Sequence, residues 1–176
     1  MRKHQLAASF VLAALLTGCN PTYNWRDYSS PDAPYRVMFP AKPASHTRSV
    51  DLAGTKVEMT MTAAEVEGVM FAVGTGVAQD AAGAQAAVDA MKTAMLRNIG
   101  ATVQRESASA ASSGDPGSAR KRIDIEATGA GTGGPVKLSG HFESRGKRFY
   151  QVIVLGKDKA VPAEQSEQFM KSFTLL

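Results

Sequence analysis

Cys19, the only cysteine of this 176-residue chain, closes an apolar N-terminal run and leaves everything after it without a thiol. The run from Leu6 to Leu16 follows Arg2 and Lys3 and ends in the small residues Thr17 and Gly18. As a helix it would be about 17 Å long, against a hydrocarbon core of about 30 Å, too short to span a bilayer. A basic start, a short apolar centre and small residues before a cleavage point make the pattern of a secretory signal. An exported body with no second cysteine cannot be tied by disulfides, and a thiolate zinc site is excluded by the same count. Its fold therefore has to come from a hydrophobic core. Removing 18 of the 176 residues leaves 158, a length suited to one domain with one core.

The stretch Leu16-Thr17-Gly18-Cys19 resembles the lipobox of bacterial lipoproteins. The resemblance implies that the Cys19 thiol is acylated, that the chain is cut before it, and that three acyl chains hold the new N-terminus. A single myristoyl chain binds a membrane only reversibly, at about 0.8 kcal/mol per buried methylene, so three chains make attachment lasting. The alternative is an ordinary signal peptide followed by a chance cysteine. Asn20 stands where an aspartate retains lipoproteins of enteric bacteria in the inner membrane. By that resemblance the expected address is the inner leaflet of the outer membrane, with the body facing the periplasm. The expected organisation is a signal peptide over 1–18, a lipidated tether over 19–34 and a single domain over 35–176.

Charge adds little. The chain has 20 Lys and Arg against 16 Asp and Glu, and loss of Arg2 and Lys3 leaves 18 against 16, a net of +2. So small an excess gives no footprint for nucleic acid.

The tether is broken by Pro21, Pro31 and Pro34, yet it carries Tyr23, Trp25 and Tyr28 between Asn24, Arg26 and Asp27. These aromatics either fold back on the domain or lie at the lipid headgroups, or else they bind a partner, with Trp25 and Arg26 of the types favoured at interface hot spots. From Tyr35 the pattern is β. Strands are expected at Tyr35–Phe39, His46–Leu52, Val57–Ala63 and Val69–Val73, joined as an antiparallel meander by turns at Pro40–Pro43, Ala53-Gly54 and Glu67-Gly68. Val69–Val73 is apolar on both faces, which predicts a central strand. Asp80 then caps a helix with Ala84, Val88, Met91, Met95 and Ile99 on one stripe and Gly100 at its end. A methionine stripe is core or an adaptable docking groove; at helical spacing core is expected. Strands resume at Thr102–Arg105, Arg122–Ala127, Val136–Glu143 and Phe149–Leu155, with a mobile surface loop expected over Ala108–Ser118. Pro162 opens a closing helix with Phe169 and Phe173 as its buried face.

Three patterns bear on chemistry. Gly129-Ala130-Gly131-Thr132-Gly133-Gly134 spells a dinucleotide fingerprint, but Pro135 and an alternating strand follow where a helix is required, so a flexible hairpin loop is expected. His46 and His141 share no metal-ligand spacing with a carboxylate, and His141 is expected to face solvent beside Ser139 and Glu143. No nucleophile elbow is present. The third pattern is geometric. Hairpins at Gly131 and Gly146 would bring Arg120 and Arg122 to Ser144 and Phe142, and gather Lys121, Arg145, Lys147 and Arg148 at one sheet end. Such a rim is either a site for an anionic headgroup, glycan or acidic partner, or a solvated edge that discourages pairing.

The element order, Phe39-Pro40-Ala41-Lys42-Pro43 and Phe169-Met170-Lys171-Ser172-Phe173 resemble the PsbP-like fold. That implies an α+β domain in which an antiparallel sheet of about seven to eight strands is flanked by two helices (ββββ-α-ββββ-α), and a non-enzymatic accessory role. Asn24-Trp25-Arg26-Asp27-Tyr28 and Thr55–Val73 resemble small uncharacterised lipoproteins of betaproteobacteria. Neither resemblance implies a cofactor, a metal or a catalytic residue. The expectation is an envelope lipoprotein that acts as an accessory or assembly module. Its candidate partner-binding residues are Trp25, Arg26, Tyr28, Arg122, Arg145 and Arg148. The alternative is a periplasmic small-molecule or lipid binder. A ligand binder needs an enclosed apolar pocket, whereas an interaction module needs an exposed patch.

Overall fold

The computed structural model describes residues 21–52, 54–111 and 118–176; the lipobox residues Leu16, Thr17, Gly18 and Cys19, Asn20 and Ala53 of the Ala53-Gly54 turn lie outside that range. The described residues form an α+β fold of ten strands and two helices. Strands β1 (Arg26–Ser29), β2 (Tyr35–Phe39), β3 (Ala44–Leu52), β4 (Thr55–Val66) and β5 (Val69–Val77) precede helix α1 (Ala81–Asn98). Strands β6 (Thr102–Ala111), β7 (Arg120–Gly131), β8 (Gly134–Arg145) and β9 (Arg148–Lys157), helix α2 (Ala163–Ser172) and β10 (Thr174–Leu175) follow. Seven strands make one antiparallel sheet in the order β3-β4-β5-β9-β8-β7-β6, and β1-β2-β10 make a second, small one. Among the described residues no helix is long and apolar enough to cross a membrane.

The large sheet is two meanders joined where β5 pairs with β9. These are the two strands with apolar residues on both faces, and each face has its own cover. On one face α1 packs against β7, β8 and β9. Ala84, Ala87, Val88 and Met91 bury there with Ile123, Ile125, Leu138, Phe142 and Ile153. On the other face α2 and the small sheet bury Val69, Phe71, Val73, Val152 and Val154 under Tyr35, Val37, Phe39 and Phe169. Strands β7 and β8 alternate because only their α1 side is apolar. The methionine stripe is core at Met91 and half-buried at Met95.

The caps of α1 follow from its sequence. Asp80 accepts a 2.7 Å hydrogen bond from the Gly83 amide. At the other end Gly100 takes φ +55°, with Gly100 N donating to Arg97 O and Ala101 N to Leu96 O, the paired bonds of a Schellman stop. The glycine-rich stretch serves this same helix end. Ala130 N donates to Ile99 O at 2.9 Å, and a Cβ on Gly129 would lie 2.3 Å from that oxygen. Glycine is there so that α1 can approach β7. Only Thr132-Gly133 forms the turn, and an antiparallel strand follows it, which leaves no helix N-terminus for a pyrophosphate.

Five expectations are corrected. The strand Tyr35–Phe39 does not belong to the meander: Pro40–Pro43 carries the chain into another layer, so β2 pairs with β1 and β10 instead of β3. The stretch from 19 to 34 is not all tether, because Arg26–Ser29 is hydrogen-bonded to β2 and Tyr23, Trp25 and Tyr28 pack on the core. No loop begins at Ala108, since β6 runs through Ala111 against β7; residues 112–117 lie outside the described range. The fourth, on the register of Arg120 and Arg122, and the fifth, on His141, belong to the site.

Candidate functional site

The turn at Thr132-Gly133 sets the register of β7 on β8, and Gly146-Lys147 sets that of β8 on β9, with Gly146 at φ +57°. Residues opposite one another share a face. Arg120 is therefore opposite Arg145, and Arg145 is opposite Arg148. Next to Arg148, across β5, comes Val77, one of two exposed large apolar residues among those described. Three guanidinium groups thus stand side by side at one end of the sheet, about 5 Å from strand to strand. Arg145 and Arg148 make no ion pair within the described residues, and Arg120 reaches Glu143 only at 3.9 Å. Like charges directly opposite on neighbouring strands are destabilising. The fold carries that cost at two successive pairs.

The expected register was one residue out. Arg122 lies opposite Glu143, not Phe142, and Arg120 lies opposite Arg145, not Ser144. Lys121 turns to the α1 face and bonds Asp89. Arg122 is also drawn away from the row, since its Nε donates to Asp124 at 2.8 Å. Of the sequence candidates, the sheet end brings together Arg145 and Arg148, with Arg120 as the third member. Lys147 is exposed in the turn between them.

One step inward lies a closed ion network. His141 is not solvent-facing: its side chain is 8% exposed, under Phe173 with ring centroids 5.7 Å apart. Its Nδ1 is 2.7 Å from Asp124 and its Nε2 3.1 Å from Glu143. A carboxylate only accepts, so satisfying both contacts requires both ring nitrogens to donate, which makes the ring an imidazolium. Burial works against that charge, but the bonds to Asp124 and Glu143 outweigh it and raise the His141 pKa above its ordinary value. Burial likewise opposes ionisation of Asp124, yet His141 and Arg122 hold it down to about 2. Glu143 is lowered too, by His141 first and then Arg120 and Arg122, against its burial. Beside them burial pushes Tyr150 up to about 12, although Arg148 and Arg145 pull the other way.

This arrangement limits the chemistry. With both nitrogens engaged, His141 has no lone pair to act as a base or metal ligand. Among the described residues no three His, Cys, Asp or Glu side chains are placed to hold a metal ion. His46 is exposed on β3, opposite Met61 and far in the sheet from His141. Two open grooves, of about 510 and 460 Å³, run between α2 and the polar face of β7 and β8. Both have mixed charge, with Arg105, Lys137 and Lys171 set among Asp124, Glu126 and Glu167.

The tether residues form a separate place. Trp25 stacks on Tyr23 at 6.3 Å, and Tyr28 lies between Tyr35 and Phe39 at 6.1 and 5.6 Å. Arg26 is exposed on β1. Trp25, Arg26 and Tyr28 are not brought to the arginine row. Sequence periodicity gave no sign of the Asp124–His141–Glu143 network; the signal that finds it is the β7–β8 register, which sets Asp124 against His141. No family model matches the chain, and no curated protein matches it.

Proposed function

We propose that this chain is a bacterial envelope lipoprotein, acylated at Cys19 and facing the periplasm from the outer membrane, which acts by binding and not by catalysis. Its body is an accessory or assembly module of PsbP-like arrangement, and no cofactor enters its work. The observation that carries the reading is the row of Arg145 and Arg148 beside Arg120, in which Arg145 and Arg148 make no ion pair among the described residues. Residues held opposite one another at a cost to stability point to a partner that supplies the missing anions. The engaged state of His141 also favours binding, because a group already satisfied on both sides holds structure and does not move protons. Trp25, Arg26 and Tyr28 offer a second contact surface near the anchor. The alternative, a binder of small molecules or lipids, would use the grooves beside α2.

Chemical crosslinking in whole cells of the native host tests this. The expected result is a protein adduct that is lost when Arg145 and Arg148 are both changed to Glu, with membrane attachment unchanged. Co-purification of a lipid or metabolite with no protein adduct would favour the groove reading instead.

A further inference from the structure

We infer that the arginine row points away from the bilayer that holds the chain and docks an acidic protein surface within the periplasm. This deepens the reading above and rests on the anchor at Cys19. Three residues separate Cys19 from Tyr23, and the four steps between them reach at most about 14 Å. By Tyr23 the chain is already on the body: Tyr23 packs against the core, and the Asn24 amide donates to Pro40 O at 2.8 Å. Pro40 leads through Pro43 to Ala44, which pairs with Ala63 near the β4–β5 turn, so the tether joins at that end of the sheet.

Strand β5 starts from this turn at Val69 and ends at Val77, opposite Arg148. Nine residues of strand cover about 26 Å. The β1–β2 connection confirms the sense of the small sheet, since its Asp32 lies in the groove with Val77 and Arg148. The anchored end and the arginine end are therefore opposite ends of one rigid sheet. With a Debye length of about 8 Å at physiological salt, headgroups of the anchoring bilayer do not reach the row when the body stands on its tether. The anchored end carries mixed charge, Glu65 and Glu67 near Lys157, Asp158 and Lys159, and so has no basic patch of its own for lipid.

The row has the chemistry of a carboxylate reader. Each guanidinium offers a planar fork of donors that matches a carboxylate. Its spacing of about 5 Å is the spacing of side chains on neighbouring strands of a partner. Val77 adds an apolar contact at the end of the row.

Photo-crosslinking in cells, with the full chain, tests the inference. One probe replaces Lys147 between the arginines, and another replaces Lys42, which is exposed beside Pro40 at the anchored end. The expected result is a protein adduct from Lys147, mapped to a segment with several Asp or Glu residues, and a lipid adduct from Lys42. Changing Arg145 and Arg148 to Glu should lower the Lys147 adduct at least tenfold. The milder Arg145→Gln and Arg148→Gln pair should lower it less, and thermal unfolding of both variants should match or exceed wild type. A Lys147 adduct with lipid or glycan, or a protein adduct that ignores the arginine changes, overturns the inference. If the Lys42 probe gives no lipid and Cys19→Ser does not alter fractionation, the anchor is wrong and the orientation falls with it. The partner chemistry is then decided by the Lys147 adduct alone.

Discussion

Phe169→Ala should cost about 3–5 kcal/mol and lower Tm by about 10 °C or more. Phe169 is fully buried, and its ring centroid is 5.4 Å from both Phe39 and Phe71. From α2 it meets Phe39 of the small sheet and Phe71 of the large sheet together. Truncation leaves a cavity that Phe39 and Phe71 cannot close, because both are fixed on paired strands. The small sheet has three short strands and is covered by packing against α2 and the large sheet. Limited proteolysis of the variant should cut first around α2, before β5 or β9. A loss below about 1 kcal/mol would mean that α2 does not hold the two layers together.

His141→Leu should be nearly as damaging, and its cost should depend on pH. Removal of the ring leaves Asp124 and Glu143 facing each other with only arginines to compensate, for a loss of about 3 kcal/mol, the lower end expected for a broken buried pair because Asp124 is partly exposed. The wild-type pKa of His141 is raised in the fold, so the stability it contributes is fully present below its ordinary value of 6.5 and is lost as pH rises through the folded value. Asp124 has the opposite sign: its contribution is present above its ordinary 3.8 and is lost as pH falls toward about 2. The cluster is thus most stabilising between roughly pH 4 and 6.5. Arg120, Arg122, Glu143, Tyr150, Glu167 and Lys171 surround it from β7, β8, β9 and α2. Urea unfolding at pH 5.5 and pH 8.5 should show a larger gap between wild type and variant at the lower pH. Equal gaps would mean that His141 is neutral in the native state.

The parts of the fold that could be read from the residues are those with one strong cause. Val69–Val73 and Phe149–Leu155 are apolar on both faces, and they are the two strands at the middle of the large sheet. The α1 stripe, its Asp80 cap and its Gly100 stop are equally local signals. What was not legible depends on contacts made elsewhere. Strands β1 and β10 are short and largely polar, and each exists because β2 is there to pair with it. Pro40–Pro43 looks like a hairpin turn, and nothing local reveals that it changes layers. His141 alternates like an outward residue, and is outward from α1; it is buried because Phe173, at the end of α2, comes down on the opposite face. The arginine row was foreseen as a cluster but not as a register, since one residue in the turn length decides who faces whom.

The proposed orientation and address both depend on acylation of Cys19. The most direct test is the mass of the N-terminal peptide from protein extracted from host membranes. The predicted result is a peptide that begins at Cys19 and carries three acyl chains. An unmodified thiol at Cys19, or residues 1–18 still attached, would contradict it.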